Sequence, residues 1–400
     1  MLAWSSAAVL LGSLPLALAA VDPTQLQQHL TRGVGILGNY STSGSLTDWM
    51  AALDDSAALT SLNLPGTHDS AAWNPSSITK PLLQCQDLPI FNQLNAGVRF
   101  FDIRFGNMNG TLGLYHSTAL LDPNAQLEDV LWGMYHWLDD HPTETLVVSL
   151  KVDSGDTTAD VQQKVRGYTT SAPGSDYWIT DATLGNLGAA RGKMVLFRRF
   201  AYAGTETFGL DMTQWLDNAS FAIKYADGAT AYVEDNYELN LGNVPADTMV
   251  TTKLGYVTAN LDSASVTGGD NATQLFITFG SGGGQLSSGY INPRTLALGS
   301  TSTNPSSTTD GVNAKLLSYL QQHSGARLGV VLLDFYNTPT DLVLAAIANS
   351  NIKANATTDP TPSSSGSSSG QPTTPAGGSA AVLDVSFGLA VIGTLFALVL

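Results

Sequence analysis

The sequence predicts an α/β fold, a TIM-type (β/α)8 barrel that is irregular and lacks some of its helices. Three observations carry this. Eight short apolar runs punctuate residues 59–333. Several of them, such as Leu-Val-Val-Ser-Leu (146–150), are continuous rather than alternating, as expected of strands buried on both faces of a parallel sheet. Amphipathic stretches fall between some of the runs, and the charged residues, only 12% of the chain, gather just beyond the ends of the runs.

The predicted strands are Leu59–Leu64, Val98–Ile103, Leu112–Tyr115, Leu146–Leu150, Met194–Phe197, Thr230–Val233, Leu275–Phe279 and Leu328–Leu333. A helix is expected over Leu127–Leu138. There Leu127, Val130, Leu131, Met134 and Trp137 form a stripe at helical spacing, with Glu128 and Asp129 at the positive end of the dipole. Val312–Gln322 and Asp341–Ala348 read likewise, with Thr340 or Asp341 as N-cap. Barrels of this kind run to about 250 residues as one domain. A single barrel over residues 58–354 is therefore expected, with 21–57 packing on it as an N-terminal segment.

The two ends read differently. Residues 1–20 end in Leu-Ala-Leu-Ala-Ala, the small-residue spacing of a signal-peptide cleavage site. Residues 355–380 are rich in Ser, Thr, Pro and Gly and lack the apolar surface to fold. Residues 381–400 finish in an apolar tail without flanking cations, which with Ala376, Gly377, Gly378 and Ser379 matches a GPI-attachment signal. Sequons at Asn39, Asn109, Asn218, Asn271 and Asn355 agree with a secretory route to the extracellular cell surface. The only cysteine, Cys85, excludes an internal disulfide and reads as a buried small hydrophobe. A formal net charge of −16 argues against nucleic acid and against electrostatic attraction to an anionic membrane. A monomer is expected.

Catalytic groups in a parallel barrel sit just past the C-terminal ends of its strands. Those positions hold His68 and Asp69, Asp102 and Arg104, His116, Lys151 and Asp153, Arg198 and Arg199, Asp235 and Tyr237, and Asp334. Two histidines and two aspartates make an acid–base set: one imidazole takes a proton from a hydroxyl while the other delivers one to a leaving oxygen. Arg104 supplies a planar, permanently charged donor for phosphoryl oxygens. Lys151, Arg199 and Asp235 remain to hydrogen-bond a polyol, with Tyr237 to stack on it. Each residue alone has a plainer reading. Gly-Thr-His-Asp-Ser makes an ordinary turn, Asp102–Arg104 a barrel-closing ion pair, and Lys151 a surface lysine.

In order, the segments Leu-Pro-Gly-Thr-His-Asp-Ser (64–70), Gly-Val-Arg-Phe-Phe-Asp-Ile-Arg (97–104), Leu-Tyr-His (114–116), His-Pro-Thr-Glu-Thr-Leu-Val-Val-Ser-Leu-Lys (141–151), Arg-Gly-Lys-Met-Val-Leu-Phe-Arg-Arg-Phe (191–200), Gly-Tyr-Ile-Asn-Pro (289–293) and Gly-Val-Val-Leu-Leu-Asp-Phe-Tyr (329–336) resemble the phosphatidylinositol-specific phospholipase C X-domain family. The resemblance is to its bacterial, metal-independent branch. It implies a phosphoinositide-type lipid as substrate and His68, assisted by Asp334, as the base that activates the inositol 2-hydroxyl. It implies His116, paired with Asp69, as the acid for the departing diacylglycerol. Arg104 stands where calcium-dependent relatives put a metal-ligand carboxylate, so no metal and no cofactor are expected. Lys151, Asp153, Arg199, Asp235 and Tyr237 match the family's sugar-binding positions, with Asp153 where Glu is frequent. Trp73, Leu82, Leu83, Leu88 and Phe91 fit either an interfacial rim or the core. Two other readings stay open: the same fold acting on a different phosphodiester, and a non-catalytic cell-surface barrel.

Overall fold

Why Leu64 to Thr67 (β1) forms the centre of the sheet is a matter of neighbours: the first strand of the barrel lies beside the last. β1 pairs in parallel with Phe100–Met108 (β2) on one edge, and on the other with the strand Val330–Leu333, all four of whose residues are buried. The structure, a computed structural model, describes residues 21–75, 78–242, 244–266, 274–286, 289–300 and 309–347. The expected leader, linker and anchor tail, and the sequons Asn271 and Asn355, lie outside the described residues.

Thr111–His116 (β3) follows β2, and beyond it come Leu146–Ser154 (β4), Met194–Arg199 (β5), Ala219–Ala226 (β6), Ala229–Asp235 (β7), Gln274–Phe279 (β8) and the closing Val330–Leu333 (β9). The sheet runs β5-β4-β2-β1-β9-β8-β7, all neighbours parallel, with β6 antiparallel at the β7 edge. The two-residue strands 178–179 and 210–211 flank β5 at the other edge. Among the described residues no ladder joins 210–211 to β6, so the barrel is open on that side. The irregular α/β barrel expected from the sequence is the architecture found.

Two expected strands are corrected. Leu59–Ser61 is a single 3-10 turn, and the strand starts only at Leu64. Leu59, Leu62 and Leu64 are all buried, so the apolar run is real, but a short run does not distinguish a helical turn from a strand. Leu112–Tyr115 is no parallel stave: β3 runs antiparallel to β2, with Met108 opposite Thr111. The turn between them is Asn109-Gly110, both at positive φ (50° and 87°), the signature of a tight two-residue hairpin. Asp227-Gly228, with Gly228 alone at positive φ (73°), makes a second two-residue connection between β6 and β7, and β6 was not foreseen.

Four helices matter most. Pro23–Leu37 (α1) starts on an Asp22 cap and lies across Leu127–Asp140 (α2). Contact is close because Gly33 and Gly133 face the partner helix, where a Cβ would meet Asp129 Cβ at 2.8 Å and Leu37 Cδ2 at 2.6 Å. His29 and Arg32 of α1 bind Asp129, whose carboxylate also accepts from Gln126 N at the start of α2. Ala246–Val266 (α3) went unread because Lys253 interrupts its buried stripe and the apolar residues Tyr256 and Val266 lie on its exposed side. Val312–Gln322 (α4) is as expected, and Leu342–Ile347 matches the last expected helix up to Ala348, which is not described.

Arg99 clamps the N-terminal segment to the barrel bottom. It is fully buried, pairs with Glu144 at 2.7 Å, donates to the carbonyls of Leu46, Thr47, Leu94 and Val98, and lies against the rings of Trp49 and Trp137. Glu144→Ala leaves this guanidinium buried without its counter-charge and is expected to cost about 3–5 kcal/mol in denaturant unfolding. Lys224→Ala, in an exposed pair, should leave the midpoint unchanged.

Candidate active site

The mouth of the barrel is assembled from residues that directly follow strands, and three of them are set by unusual backbone. His68 follows β1, His116 ends β3 and Asp334 follows β9. The residue after each, Asp69, Ser117 and Phe335, lies in the left-handed region at φ 38°, 51° and 49°. Non-glycine residues adopt that conformation at a cost, and it turns the chain sharply enough to aim the preceding side chain inward. Buried side chains brace these turns. Gln86 Nε2 donates to the carbonyls of His68 and Leu333, both at 2.8 Å, and Asn313 donates to those of Asp334, Phe335 and Thr338.

The two histidines face one another with ring centroids 6.4 Å apart and planes at 87°. His68 Nδ1 is 2.8 Å from Asp334 Oδ1, which leaves Nε2 for chemistry. His116 Nδ1 is 3.1 Å from Asp69 Oδ2 and 3.0 Å from the carbonyl of Leu83, with the aligned hydrogen bond going to the carbonyl. Burial, reinforced by the positive charge of Arg104 and then of His68, lowers the His116 pKa to about 3. Burial likewise drives the Asp69 carboxyl well above the usual carboxylate range, Arg104 offsetting this only in part.

Arg104 lies on β2, in the register Arg104↔Lys151 with β4. Its Nε donates to Asp102 at 2.9 Å, its NH1 lies 3.7 Å from Asp153, and Asp69 is 4.0 Å away. Lys151 Nζ holds Asp153 at 2.6 Å, and Asp153 accepts from Ser117 N at 2.7 Å. Burial opposes ionisation of Asp153, but Arg104 and Lys151 outweigh it and bring its pKa to about 2. Further round, Arg199 lies 3.4 Å from Asp102 and 4.0 Å from Asp235 and stacks 3.8 Å over Trp215, whose indole N–H donates to Asp235 at 2.8 Å. The Tyr237 hydroxyl donates to Asp217.

His68, His116, Arg104, Lys151, Asp153, Arg199, Asp235, Tyr237 and Asp334 all line one cavity of about 770 Å³, with Asp69 directly behind His116. Of the strand-end residues singled out in the sequence, these are brought to one place with Asp102 beneath Arg104, whereas Arg198 is held elsewhere by Asp211 and the carbonyls of Phe200 and Phe208. Sequence reasoning missed Trp215, Asp217, Gln86 and Asn313. The first two sit on the connection from 210–211 to β6, which carries no motif. Gln86 and Asn313 act through backbone carbonyls, a role that leaves no pattern in sequence. Of the residues with two readings, Phe91 is core, Trp73 ties its indole to Gly35 and Leu88 packs against the core, while Leu82 and Leu83 line the cavity.

The family model PI-PLC X matches residues 58–171. The 1-phosphatidylinositol phosphodiesterase of Staphylococcus aureus is 27% identical over 328 residues, 78% of this chain and 96% of that protein. The enzyme of the same name from Listeria monocytogenes is 40% identical over 106 residues, 26% of this chain and 32% of its own. Among solved structures, a mutant of the phosphatidylinositol-specific phospholipase C from S. aureus superposes with a TM-score of 0.60 at 25% identity, over 78% of this chain and 99% of that one. The L. monocytogenes enzyme gives 0.57 at 24%, over 77% and 99%. Over residues 58–171 the chain matches the PI-PLC X family, and over most of its length it is similar in sequence and fold to the bacterial phosphatidylinositol-specific phospholipases C. In this phospholipase C-like barrel the histidine pair and Arg104 stand at the closed side of the sheet, where β1, β2 and β9 meet.

The low His116 pKa yields a signed prediction. An anion beside Arg104 cancels the positive field and favours the imidazolium, so inorganic phosphate should raise the His116 pKa from about 3, moving its protonation to higher pH. Side-chain NMR titration with and without phosphate reads this directly. An unchanged or lowered value contradicts the electrostatic account.

Proposed function

We propose that the protein cleaves phosphatidylinositol-type lipids by attack of the inositol 2-hydroxyl on the adjacent phosphorus, releasing diacylglycerol and a cyclic inositol phosphate without a metal ion. The observation that carries this reading is the pair of crossed imidazoles, each at its own aspartate, with a guanidinium beside them. His68, its Nδ1 held by Asp334, takes the hydroxyl proton on Nε2 while the new O–P bond forms. Both reacting groups belong to one substrate, so the step gains from proximity. His116 donates a proton to the glycerol oxygen as the P–O bond breaks. The substrate's phosphate anion raises its proton affinity toward the operating range, where an acid is most effective. Arg104 stabilises the non-bridging oxygens, the charge work a cation would otherwise do.

Lys151, Asp153, Arg199, Asp235 and Tyr237 would bind the ring, and Leu82, Leu83 and Pro293 give the cavity an apolar flank for the glycerol side. Among the described residues no helix is long and apolar enough to cross a membrane. On the small residues that close 1–20 and the Ala376–Ser379 cluster before the apolar tail, the reading also includes secretion through a leader and attachment of a monomer to the extracellular surface by a GPI anchor in place of residues 381–400.

Turnover of phosphatidylinositol vesicles by the purified protein should be unaffected by EDTA. Arg104→Ala, His68→Ala and His116→Ala should each lower it by roughly a thousandfold or more. A calcium requirement would overturn the metal-free step, and near-full activity in either histidine variant would show that the acid–base pair lies elsewhere.

A further inference from the structure

Cys85, the single cysteine of the chain, is a buried nucleophile that the chemistry above does not use. It is fully buried, and its Sγ lies 3.8 Å from His116 Nδ1. The same nitrogen is 3.1 Å from Asp69 Oδ2, and sulfur, nitrogen and a carboxylate oxygen all fall within 4.8 Å of one another. Asp69 is 0% exposed, yet neither of its oxygens accepts an aligned hydrogen bond. A buried carboxylate without donors is costly, and its directed lone pairs call for a positive partner.

We infer that Asp69, Cys85 and His116 form an inhibitory binding site for a thiophilic divalent cation of the zinc class. Zinc holds sulfur at about 2.3 Å and nitrogen or oxygen at about 2.0–2.1 Å in tetrahedral geometry, which separates S from N by about 3.6 Å and N from O by about 3.3 Å. The observed 3.8 and 3.1 Å lie within a few tenths of an ångström of those values. Three protein ligands leave a fourth position for water or a substrate oxygen. Charge balance fits as well: thiolate, carboxylate and dication sum to zero, which suits a buried site. On binding, the thiol proton passes to water, and the cation displaces the Nδ1 proton that the Leu83 carbonyl accepts, so that the imidazole carries its single proton on Nε2 instead. With the cation on Nδ1, His116 cannot become an imidazolium, so the proton it would give a leaving group is never loaded. Cys85 also reaches His68 and Asp334, but that dyad is closed by its own 2.8 Å hydrogen bond. A thiolate ligand selects a soft cation over calcium or magnesium.

The inhibition half of this inference rests on the proposed activity; the binding half does not. Cadmium is the probe for binding. Titration of the full chain with cadmium should give a sulfur-to-cadmium charge-transfer absorption in the ultraviolet, saturating at one equivalent. The band should vanish in Cys85→Ser, persist in His68→Ala and require at least about tenfold more cadmium in His116→Ala. A band that survives Cys85→Ser, or that follows His68 instead of His116, overturns the site. In the vesicle assay zinc should inhibit, EDTA should restore turnover, and Cys85→Ser should keep its basal rate while tolerating about tenfold more zinc. Zinc binding without inhibition would overturn the inhibitory role. A cadmium band of the expected pattern in a protein inactive on inositol lipids would support the metal site and count against the proposed activity.

Discussion

The carboxylate of Asp102 is the constraint on which the rest of the site depends. It is fully buried in the first half of β2, and four groups converge on it: Arg104 Nε at 2.9 Å, the backbone N–H of Asp69 at 3.2 Å, Arg199 at 3.4 Å and Ser149 Oγ at 3.5 Å. Burial opposes its charge, but Arg104 and Arg199 outweigh burial and keep it ionised far below the usual carboxylate range. One anion thereby fixes both cations and pins the turn that carries His68 and Asp69. The plainer reading of Asp102–Arg104 as an ion pair is what the structure shows, and the same pair holds the guanidinium at the cavity wall, the place that the functional reading of Arg104 requires.

Around that anion the site divides into two halves of different character. The inner half, His68, His116, Asp69 and Asp334, is built from turns at positive φ that are held from behind by Gln86 and Asn313. Burial is the largest influence on His116 and Asp69 and disfavours charge on each, and an anion in the cavity relieves this for His116. The outer half is a mesh of ion pairs among Lys151, Asp153, Arg199 and Asp235 on strands, with Trp215 packed against Arg199 from the connection before β6. Such preorganised polar groups cost no reorganisation when a polar ring replaces water.

Much of this was legible in sequence because strand ends concentrate charge in a chain with little of it. The apolar runs at Leu146–Leu150 and Leu328–Leu333 marked buried parallel strands, and the charged residues beyond them fell in the site. What sequence obscured has physical causes. Asn109-Gly110 is a dipeptide suited to a tight hairpin, yet the apolar run after it passed for a new stave; β3 in fact returns on β2 and carries His116 back to the mouth. Leu59–Leu64 was a true buried run in the wrong geometry. Trp215 could not be seen at all, since its position depends on a long-range contact with Arg199 and Asp235 and not on any local pattern.

The central claim is that the substrate's own hydroxyl attacks phosphorus. Phosphorus NMR of the first products formed from phosphatidylinositol in the presence of EDTA tests it most directly. The account predicts a cyclic inositol phosphate as the initial phosphorus-containing product, with the acyclic monophosphate following only later from it. Acyclic phosphate formed first, with no cyclic species preceding it, would contradict the account and point to water as the nucleophile.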